Sequence, residues 1–176
     1  MRNKAFTLIE LAVVLLVIGI LAAIVLRNIG SQAIQSRDTK RVGDLKNAET
    51  YLAQYLSKNG QFPPFSDTDW PTIAAANDLE TVLITAGVLS GKLPVAPSGT
   101  GAYGYYACTD AAAKDTVNHF ALRTVLEQTL AQNPKVYEGS AAVPAGWECY
   151  ANGQTLGGTV AVPTCAAASR EYCFFQ

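Results

Sequence analysis

Hydrophobic residues fill almost every position from 6 to 26, and a single carboxylate, Glu10, interrupts them near the start. As a helix, a run of about 21 residues spans a hydrocarbon layer of about 30 Å. From Ile34 onward the apolar residues recur every three or four positions instead, which is the spacing of one helical face. The pattern therefore predicts a continuous helix over residues 6–58, apolar on all sides in residues 6–26 and amphipathic in residues 27–58.

The amphipathic half indicates which side chains lie under a globular head, which residues 59–176 are expected to form. The positions that share its apolar face are Ile34, Val42, Leu45, Ala48 or Glu49, Leu52 and Tyr55 or Leu56. The positions expected on the opposite, solvated side are Arg37, Lys40, Asp44 and Lys46. Gly60 is expected to end the helix because glycine readily adopts the left-handed conformation that follows one, and Pro63 and Pro64 prevent its continuation.

The distal part of the chain, residues 59–176, has a mixed pattern. The composition of residues 67–71 is typical of a helix start and predicts a short helix or two within residues 73–86, ended by Gly87. Alternating apolar residues then predict four strands, over residues 102–108, 119–126, 147–150 and 172–175. The expected fold class is α+β, a long N-terminal helix followed by a small C-terminal antiparallel β-sheet domain.

Glu10 is the residue of the apolar run that needs an explanation. A charged side chain at the centre of a bilayer costs about 2.5 to 3.5 kcal/mol on insertion scales, so such residues persist where something pairs with them. The next basic residue, Arg27, lies about 25 Å away along a helix. We therefore expect the partner of Glu10 to come from outside its own segment.

A secretory signal peptide or a simple membrane anchor would also place an apolar stretch after basic residues such as Arg2 and Lys4. The apolar region of a signal peptide is typically about 7 to 15 residues long. The run here is longer and continues into helical sequence without a small-x-small cleavage site, which argues against a signal peptide. Because basic residues favour the cytoplasmic side of a membrane, Arg2 and Lys4 predict a cytoplasmic N-terminus.

Residues 4–11 read Lys-Ala-Phe-Thr-Leu-Ile-Glu-Leu. With a short basic leader before Phe6 and an apolar helix after it, this segment resembles the hallmark of the type IV pilin superfamily. The resemblance implies that a prepilin peptidase removes the leader, residues 1–5, by cutting between Ala5 and Phe6, and then methylates the amino group of Phe6. One departure concerns this step, since Ala5 stands where the family usually has glycine.

The resemblance also assigns an assembly role to Glu10, whose carboxylate would face the N-terminal amine of a neighbouring subunit as subunits stack. Thr7 matches the small polar residue often found between the mature N-terminus and this glutamate. A second departure from the family is Arg27, where many pilins carry a helix-bending proline.

A type IV pilin-like fold and a structural, non-enzymatic function follow from the same resemblance. The expected partners are a homopolymer or mixed pilin filament, the inner membrane before assembly, the prepilin peptidase and an assembly platform, and the assembled filament would lie outside the cell. Two alternatives stay open, a pseudopilin of a type II secretion system and a membrane-anchored adhesin or binding module that never polymerises. Glu10 argues against the second, because a monomeric anchor has no use for an unpaired intramembrane carboxylate.

The four cysteines, Cys108, Cys149, Cys165 and Cys173, all lie in the distal part. An even number in an exported domain favours two disulfides, whereas zinc and redox sites usually bring cysteines together as C-x-x-C. Three pairings are possible. Cys165 with Cys173 closes the shortest loop, but Cys173 falls in the predicted terminal strand, and we expect it to join the sheet to an earlier cysteine instead.

The remaining polar residues indicate no catalytic chemistry. The chain has 13 Lys and Arg against 14 Asp and Glu, so no basic field for nucleic acid is present. His119 is the one histidine, and among apolar strand residues a packed or surface imidazole is expected rather than a general base. Asp67 and Asp69 could ligate calcium, but a pair lacks the further oxygen ligands that calcium needs, so helix capping is expected. The sequence therefore predicts no catalytic residue, metal site or cofactor.

Overall fold

The computed structural model describes residues 7–70, 78–97, 102–112, 116–150, 158, 160, 163 and 165–176, and for residues 26–29, 68, 69 and 167 it describes the backbone only. Two helices and five strands form the fold of this part of the chain. In chain order they are α1 (Leu8–Asn59), β1 (Asp67–Trp70), α2 (Leu79–Thr85), β2 (Tyr103–Asp110), β3 (His119–Val125), β4 (Trp147–Cys149) and β5 (Glu171–Phe175). Short 3-10 helices cover Pro134–Tyr137 and Ala167–Ser169.

Helix α1 has both of its ends encoded locally. Thr7 is the N-cap, with extended backbone angles (φ −79°, ψ 150°). At the other end Gly60 adopts φ 74° and donates its N–H to the carbonyl of Leu56 at 2.8 Å, a conformation that strains residues with a side chain. The 52 residues between the caps form a helix about 78 Å long. The long N-terminal helix and its end at Gly60 are thus confirmed.

The strands form one antiparallel sheet in the order β1-β2-β3-β5, and β4 also pairs with β2. Tyr105 lies opposite Leu122, and Leu122 lies opposite Phe174. On β4, Cys149 lies opposite Cys108 of β2. Each of the four strands predicted from alternation is present, and the α+β class with a small antiparallel sheet is confirmed.

Residues 67–70 form a strand, so the helix start predicted there is wrong. Trp70 explains the difference, because its side chain is fully buried and its ring centroid lies 5.3 Å from that of Tyr103. These two residues are partners in the β1–β2 pair. The burial of a large aromatic side chain against the sheet outweighs the local preference of an Asp- and Thr-rich segment for a helix start.

Helix α2 lies within the predicted range of residues 73–86 and begins at Leu79, with Asp78 as its N-cap. Asp67 also contributes to this start, because its Oδ2 accepts a hydrogen bond from the Leu79 N–H at 3.1 Å. Asp67 therefore does cap a helix, one that begins twelve residues further along the chain. The side chain of Asp69 and the backbone of residues 71–77 lie outside the described residues.

The inner face of the sheet packs on the amphipathic half of α1. The helix contributes Leu45, Ala48 and Leu52, which are 0 to 1% exposed. Phe120 and Leu122 of β3 belong to the same core. The apolar face predicted for this half of the helix is therefore confirmed at its central positions.

Asp44, expected on the solvated side of α1, is buried instead. Its Oδ2 accepts hydrogen bonds from the hydroxyl of Tyr103 and from Nζ of Lys40, both at 2.6 Å. Burial raises the pKa of Tyr103, and so does the bond that its hydroxyl donates to Asp44. The tyrosine thus remains a donor, and it supplies the partner that a buried carboxylate requires.

Two disulfides are present, Cys108–Cys149 and Cys165–Cys173. The expectation that Cys173 joins an earlier cysteine rather than Cys165 is wrong. The chain reverses between these two through the 3-10 helix at Ala167–Ser169 and through Arg170, which adopts φ 61°. This turn leaves the Cα atoms of Cys165 and Cys173 5.5 Å apart, a separation that a disulfide readily spans.

Replacing both Cys108 and Cys149 with alanine is expected to destabilise the head more than replacing both Cys165 and Cys173. The two bridges close sequence separations of 41 and 8 residues. Loop-closure entropy then gives losses of about 4 and about 2.5 kcal/mol, respectively. Urea unfolding of the two double variants and the unaltered protein in the same detergent measures the difference. Equal losses would contradict the entropic ordering, and four reactive thiols in the denatured, unreduced protein would contradict both bridges.

Candidate functional site

The first half of α1 presents an apolar surface that the rest of the described chain leaves uncovered. We call residues 8–25 the apolar rod. Its large aliphatic side chains are about half or more exposed, from 48% for Val17 to 89% for Leu8. Among the described residues, α1 is the one helix long and apolar enough to cross a membrane. A bare surface of this size on a soluble monomer would be exceptional, so it marks contact with lipid or with other protein chains.

Thr7 and Glu10 form a capping box at the start of the rod. The side chain of Thr7 accepts a hydrogen bond from the Glu10 N–H at 3.3 Å. In return, Oε2 of Glu10 accepts from the Thr7 N–H at 2.9 Å and from the Thr7 hydroxyl at 2.7 Å. This reciprocal arrangement satisfies backbone N–H groups that the first turn of a helix leaves without partners.

The capping box corrects one expectation about Glu10. Its own segment does supply hydrogen-bond partners, both of them on Thr7. Both donors are neutral, however, and no cation bonds to Glu10 in the part of the chain that the structure describes. Among the described residues, the carboxylate is therefore held in one orientation at the end of the rod by neutral donors alone. Ala5 and Phe6, the predicted processing site, lie outside the described residues.

A second cluster of charged side chains joins α1 to the head. We call it the clasp, and it consists of Arg37, Asp38, Arg41 and Glu127. Arg41 donates from Nη1 to Oδ1 of Asp38 and to Oε1 of Glu127, both at 2.8 Å. Arg37 adds a two-pronged contact to Glu127, from Nε at 2.8 Å and from Nη2 at 2.5 Å.

Backbone groups of the head complete the clasp. Asp38 accepts from the N–H groups of Glu127 and Gln128, at 2.8 and 3.0 Å. Arg41 also donates to the carbonyl of Pro97 at 3.0 Å. The hydrogen bond from Arg37 and, after it, that from Arg41 lower the pKa of the Glu127 carboxyl to about 2 against the opposing effect of burial. The Glu127 carboxylate therefore stays ionised at any physiological pH. The clasp connects the helix to two separate loops of the head.

The spacing of residues along α1 does indicate two members of the clasp. Positions 38 and 41 continue the three-and-four spacing of Leu45, Ala48 and Leu52, so they lie on the face that packs against the head. Asp38 and Arg41 are accordingly fully buried. Two opposite charges three positions apart within an apolar stripe predict a buried ion pair. The third member, Glu127, is 86 residues from Arg41, so local spacing does not indicate it.

His119 is packed on the outer face of the sheet. Its ring stacks on Trp147 with a centroid distance of 3.9 Å, and its Nε2 lies 3.2 Å from Oδ1 of Asp110. The neighbouring cysteines, Cys108 and Cys149, are joined to each other. The arrangement is that of a half-buried aromatic cluster with a carboxylate partner, as the sequence suggested for this imidazole.

The N-terminal region is similar to a known protein family. Residues 1–26 match the family model described as the prokaryotic N-terminal methylation motif. Proteins named type II secretion system core protein G, from Pectobacterium carotovorum subsp. carotovorum and from Dickeya chrysanthemi, are each 32% identical to the chain over 62 residues. The matched segment is 35% of this chain and 40% of each relative, so the chain spans less than half the length of these proteins. No solved structure matches the chain.

These findings concern the N-terminal motif and the fold. A prepilin methylation motif begins the chain, and a long helix followed by an antiparallel sheet gives it a pilin-like α+β fold. The resemblance of residues 6–10 to the type IV pilin and type II secretion pseudopilin superfamily is thereby confirmed for the N-terminal motif.

Proposed function

We propose that the chain is a structural subunit of a type IV pilus-like filament rather than an enzyme. The observation that carries this proposal is the apolar rod, which is bare along its length and has a carboxylate fixed at its start. Lipid can cover such a surface while the subunit waits in the inner membrane, with its N-terminus in the cytoplasm. Packing among the rods of other subunits covers it equally well after assembly.

Such a subunit would have three parts, a leader (residues 1–5), a helix (6–58) and a head (59–176). A prepilin peptidase would cut between Ala5 and Phe6 and methylate Phe6. Removal of the leader takes away Arg2 and Lys4 and so makes it easier for the rod to leave the membrane. An assembly platform would then add the subunit to a homopolymer or a mixed filament outside the cell.

Glu10 would direct docking in this filament through the N-terminal amine of a neighbouring Phe6. Thr7 prepares the contact, because the capping box fixes the carboxylate before the partner arrives. In the low-dielectric interior of a helix bundle, an amine and a carboxylate attract strongly and are little screened by salt. Only one axial position of the incoming rod brings the two charges together, so the pair would set the register of assembly.

A second candidate function is that of a pseudopilin, whose filament serves a type II secretion system. The observation that favours it is the name of the relatives described above, type II secretion system core protein G. The two disulfides of the head favour a surface filament instead, because covalent bridges suit a fibre that is exposed to mechanical shear. A membrane-anchored adhesin that never polymerises is a weaker candidate, since it gives the charge of Glu10 no partner.

The mature protein is expected to begin at a methylated Phe6. Intact-mass and peptide mass spectrometry of the protein from its native cells measures this. Changing Ala5 to a bulky residue such as phenylalanine should leave the precursor in the membrane, whereas Ala5→Gly should be processed normally. A mature N-terminus at Met1, or one beyond residue 26, would contradict the proposal.

The location of the subunit in the same cells distinguishes the two filament functions. A pilus subunit is expected in filaments sheared from the cell surface, where mass spectrometry detects it. A pseudopilin is expected to remain with the cell envelope, and its loss should block export of folded proteins. A processed subunit that appears in neither setting would favour the anchored module.

A further inference from the structure

The two disulfides of the head differ in their contact with solvent. Cys108 and Cys149 are both fully buried, and aromatic side chains pack against the cluster that contains them. In the other bridge Cys173 is fully buried, whereas Cys165 is only partly buried. Cys165 is therefore the one cysteine of the four that a reagent in solution can reach without unfolding of the head.

The backbone on the exposed side of this bridge is strained. Cys165 adopts φ 47° and Arg170 adopts φ 61°, a conformation that is unfavourable for residues with a side chain. The carbonyl of Arg170 accepts a hydrogen bond from the Leu126 N–H at 2.7 Å, which holds Arg170 in place. Among the described residues, no hydrogen bond holds the backbone of Cys165 in the same way. Opening of the bridge would therefore let Cys165 leave its strained conformation.

A cation lies across the sheet from the buried sulfur. Arg123 of β3 is the partner of Cys173 of β5, so the two side chains project from the same face of the sheet at neighbouring positions. The guanidinium also donates from Nε to Oε1 of Glu171 at 3.1 Å, which keeps it on that face. A nearby cation stabilises a thiolate, and a more stable thiolate leaves faster when a disulfide is attacked.

The sheet has other bonds that hold Cys173 in place. Strand β5 pairs with β3 at five positions. In addition, the N–H of Cys173 donates to Oγ of Ser140 at 3.2 Å, and its carbonyl accepts from the Ala141 N–H at 3.1 Å. Opening of the bridge would thus release Cys165 while β5 stays in the sheet.

We propose that the Cys165–Cys173 bridge is a thiol–disulfide exchange site that an external dithiol opens by attack on Sγ of Cys165, while the Cys108–Cys149 bridge stays closed. A thiolate attacks along the S–S axis from the side opposite the leaving sulfur. Because the leaving sulfur belongs to the buried Cys173, the attack comes from the outer side of Cys165.

The exchange has two steps. In the first, a mixed disulfide forms at Cys165, and the electron pair of the broken S–S bond goes to Sγ of Cys173, which takes up a proton from water. In the second, the other thiol of the reductant displaces Cys165 as a thiolate, which is also protonated. The bridge has then gained two electrons, and the dithiol has become a disulfide. The exchange does not require assembly, so it stands apart from the proposed filament function.

Reduction of the folded protein tests the order of opening. The full chain in detergent is treated with dithiothreitol without denaturant, alkylated at intervals and analysed by peptide mass spectrometry. Cys165 and Cys173 should be alkylated at least about tenfold faster than Cys108 and Cys149. The near-ultraviolet circular dichroism should persist while only the first bridge is open. Equal rates, faster opening of Cys108–Cys149, or loss of this signal with the first bridge would overturn the inference.

Glutathione identifies the attacked sulfur, because a monothiol leaves the mixed disulfide in place. After an acid quench, peptide mass spectrometry should find the adduct on Cys165. An adduct mainly on Cys173 would overturn the proposed direction of attack.

The double variant Arg123→Gln, Glu171→Gln tests the role of the cation without leaving the buried Glu171 carboxylate unpaired. The opening rate of Cys165–Cys173 relative to Cys108–Cys149 should fall by about threefold or more. A weaker fold would accelerate both bridges, so this ratio separates the effect on the leaving thiolate from a loss of stability. An unchanged ratio would overturn the role of Arg123.

Discussion

Replacing Glu10 with alanine is expected to abolish filaments or reduce them severely, while membrane insertion stays intact or improves slightly. Insertion improves because a charge within a bilayer costs about 2.5 to 3.5 kcal/mol. Under the proposed pairing, assembly fails because the N-terminal amine of a neighbouring subunit would lose its anionic partner in the interior of the filament, where no water solvates the amine. The measurement is the yield of filaments sheared from cells that carry equal membrane levels of each variant.

Two further variants separate the parts of this effect. Glu10→Gln keeps the size of the side chain and its ability to accept hydrogen bonds from Thr7, but removes the charge, so it is also expected to assemble poorly. Thr7→Ala keeps the charge and removes the capping side chain, which costs about 1 kcal/mol of helix stability. Its yield should fall less than that of either Glu10 variant. Normal yield from Glu10→Ala would mean that the carboxylate does not guide docking. The membrane-anchored module would then be the better supported function.

The elements that could be predicted from sequence are those whose cause is local. The rod follows from an unbroken apolar run, the end of α1 from Gly60, and the strands around Tyr105 and Leu122 from alternation. In each case, the residues that cause the structure lie within a few positions of it. The Thr7–Glu10 capping box is of the same kind, because three positions separate the two residues.

The elements that were missed depend on partners far away in the chain. Residues 67–70 become a strand because Trp70 packs on Tyr103, and Asp44 is buried because the hydroxyl of Tyr103 reaches it, 59 residues away in sequence. Local composition contains no information on either contact. The pairing of Cys165 with Cys173 was missed for a different reason, since it depends on a tight turn at Arg170 with φ 61°, a conformation that arginine seldom adopts.

Replacing Arg41 with methionine is expected to lower the free energy of unfolding by about 3 to 5 kcal/mol. The volume of the side chain is nearly kept, but Asp38 is left fully buried without its cation. Arg37→Met is the matched control, because Arg37 also bonds Glu127 but its side chain is 34% exposed. Loss of this partly exposed pair should therefore cost less than loss of Arg41, because Arg37 leaves no fully buried charge behind. Urea unfolding of each variant in detergent, followed by the fluorescence of Trp70 and Trp147, measures both losses.

The pH dependence of stability provides an independent check on the clasp. The pKa of Glu127 is lowered from 4.5 to about 2, so its contribution is complete above pH 4.5 and is lost as the pH falls toward 2. The difference in stability between the unaltered protein and Glu127→Gln should therefore shrink over that interval and stay constant above it. A difference that does not change with pH would mean that the arginines do not hold the Glu127 carboxylate. If the difference shrinks as expected, Arg37 and Arg41 hold the Glu127 carboxylate and so connect α1 to the head throughout the pH range above 4.5.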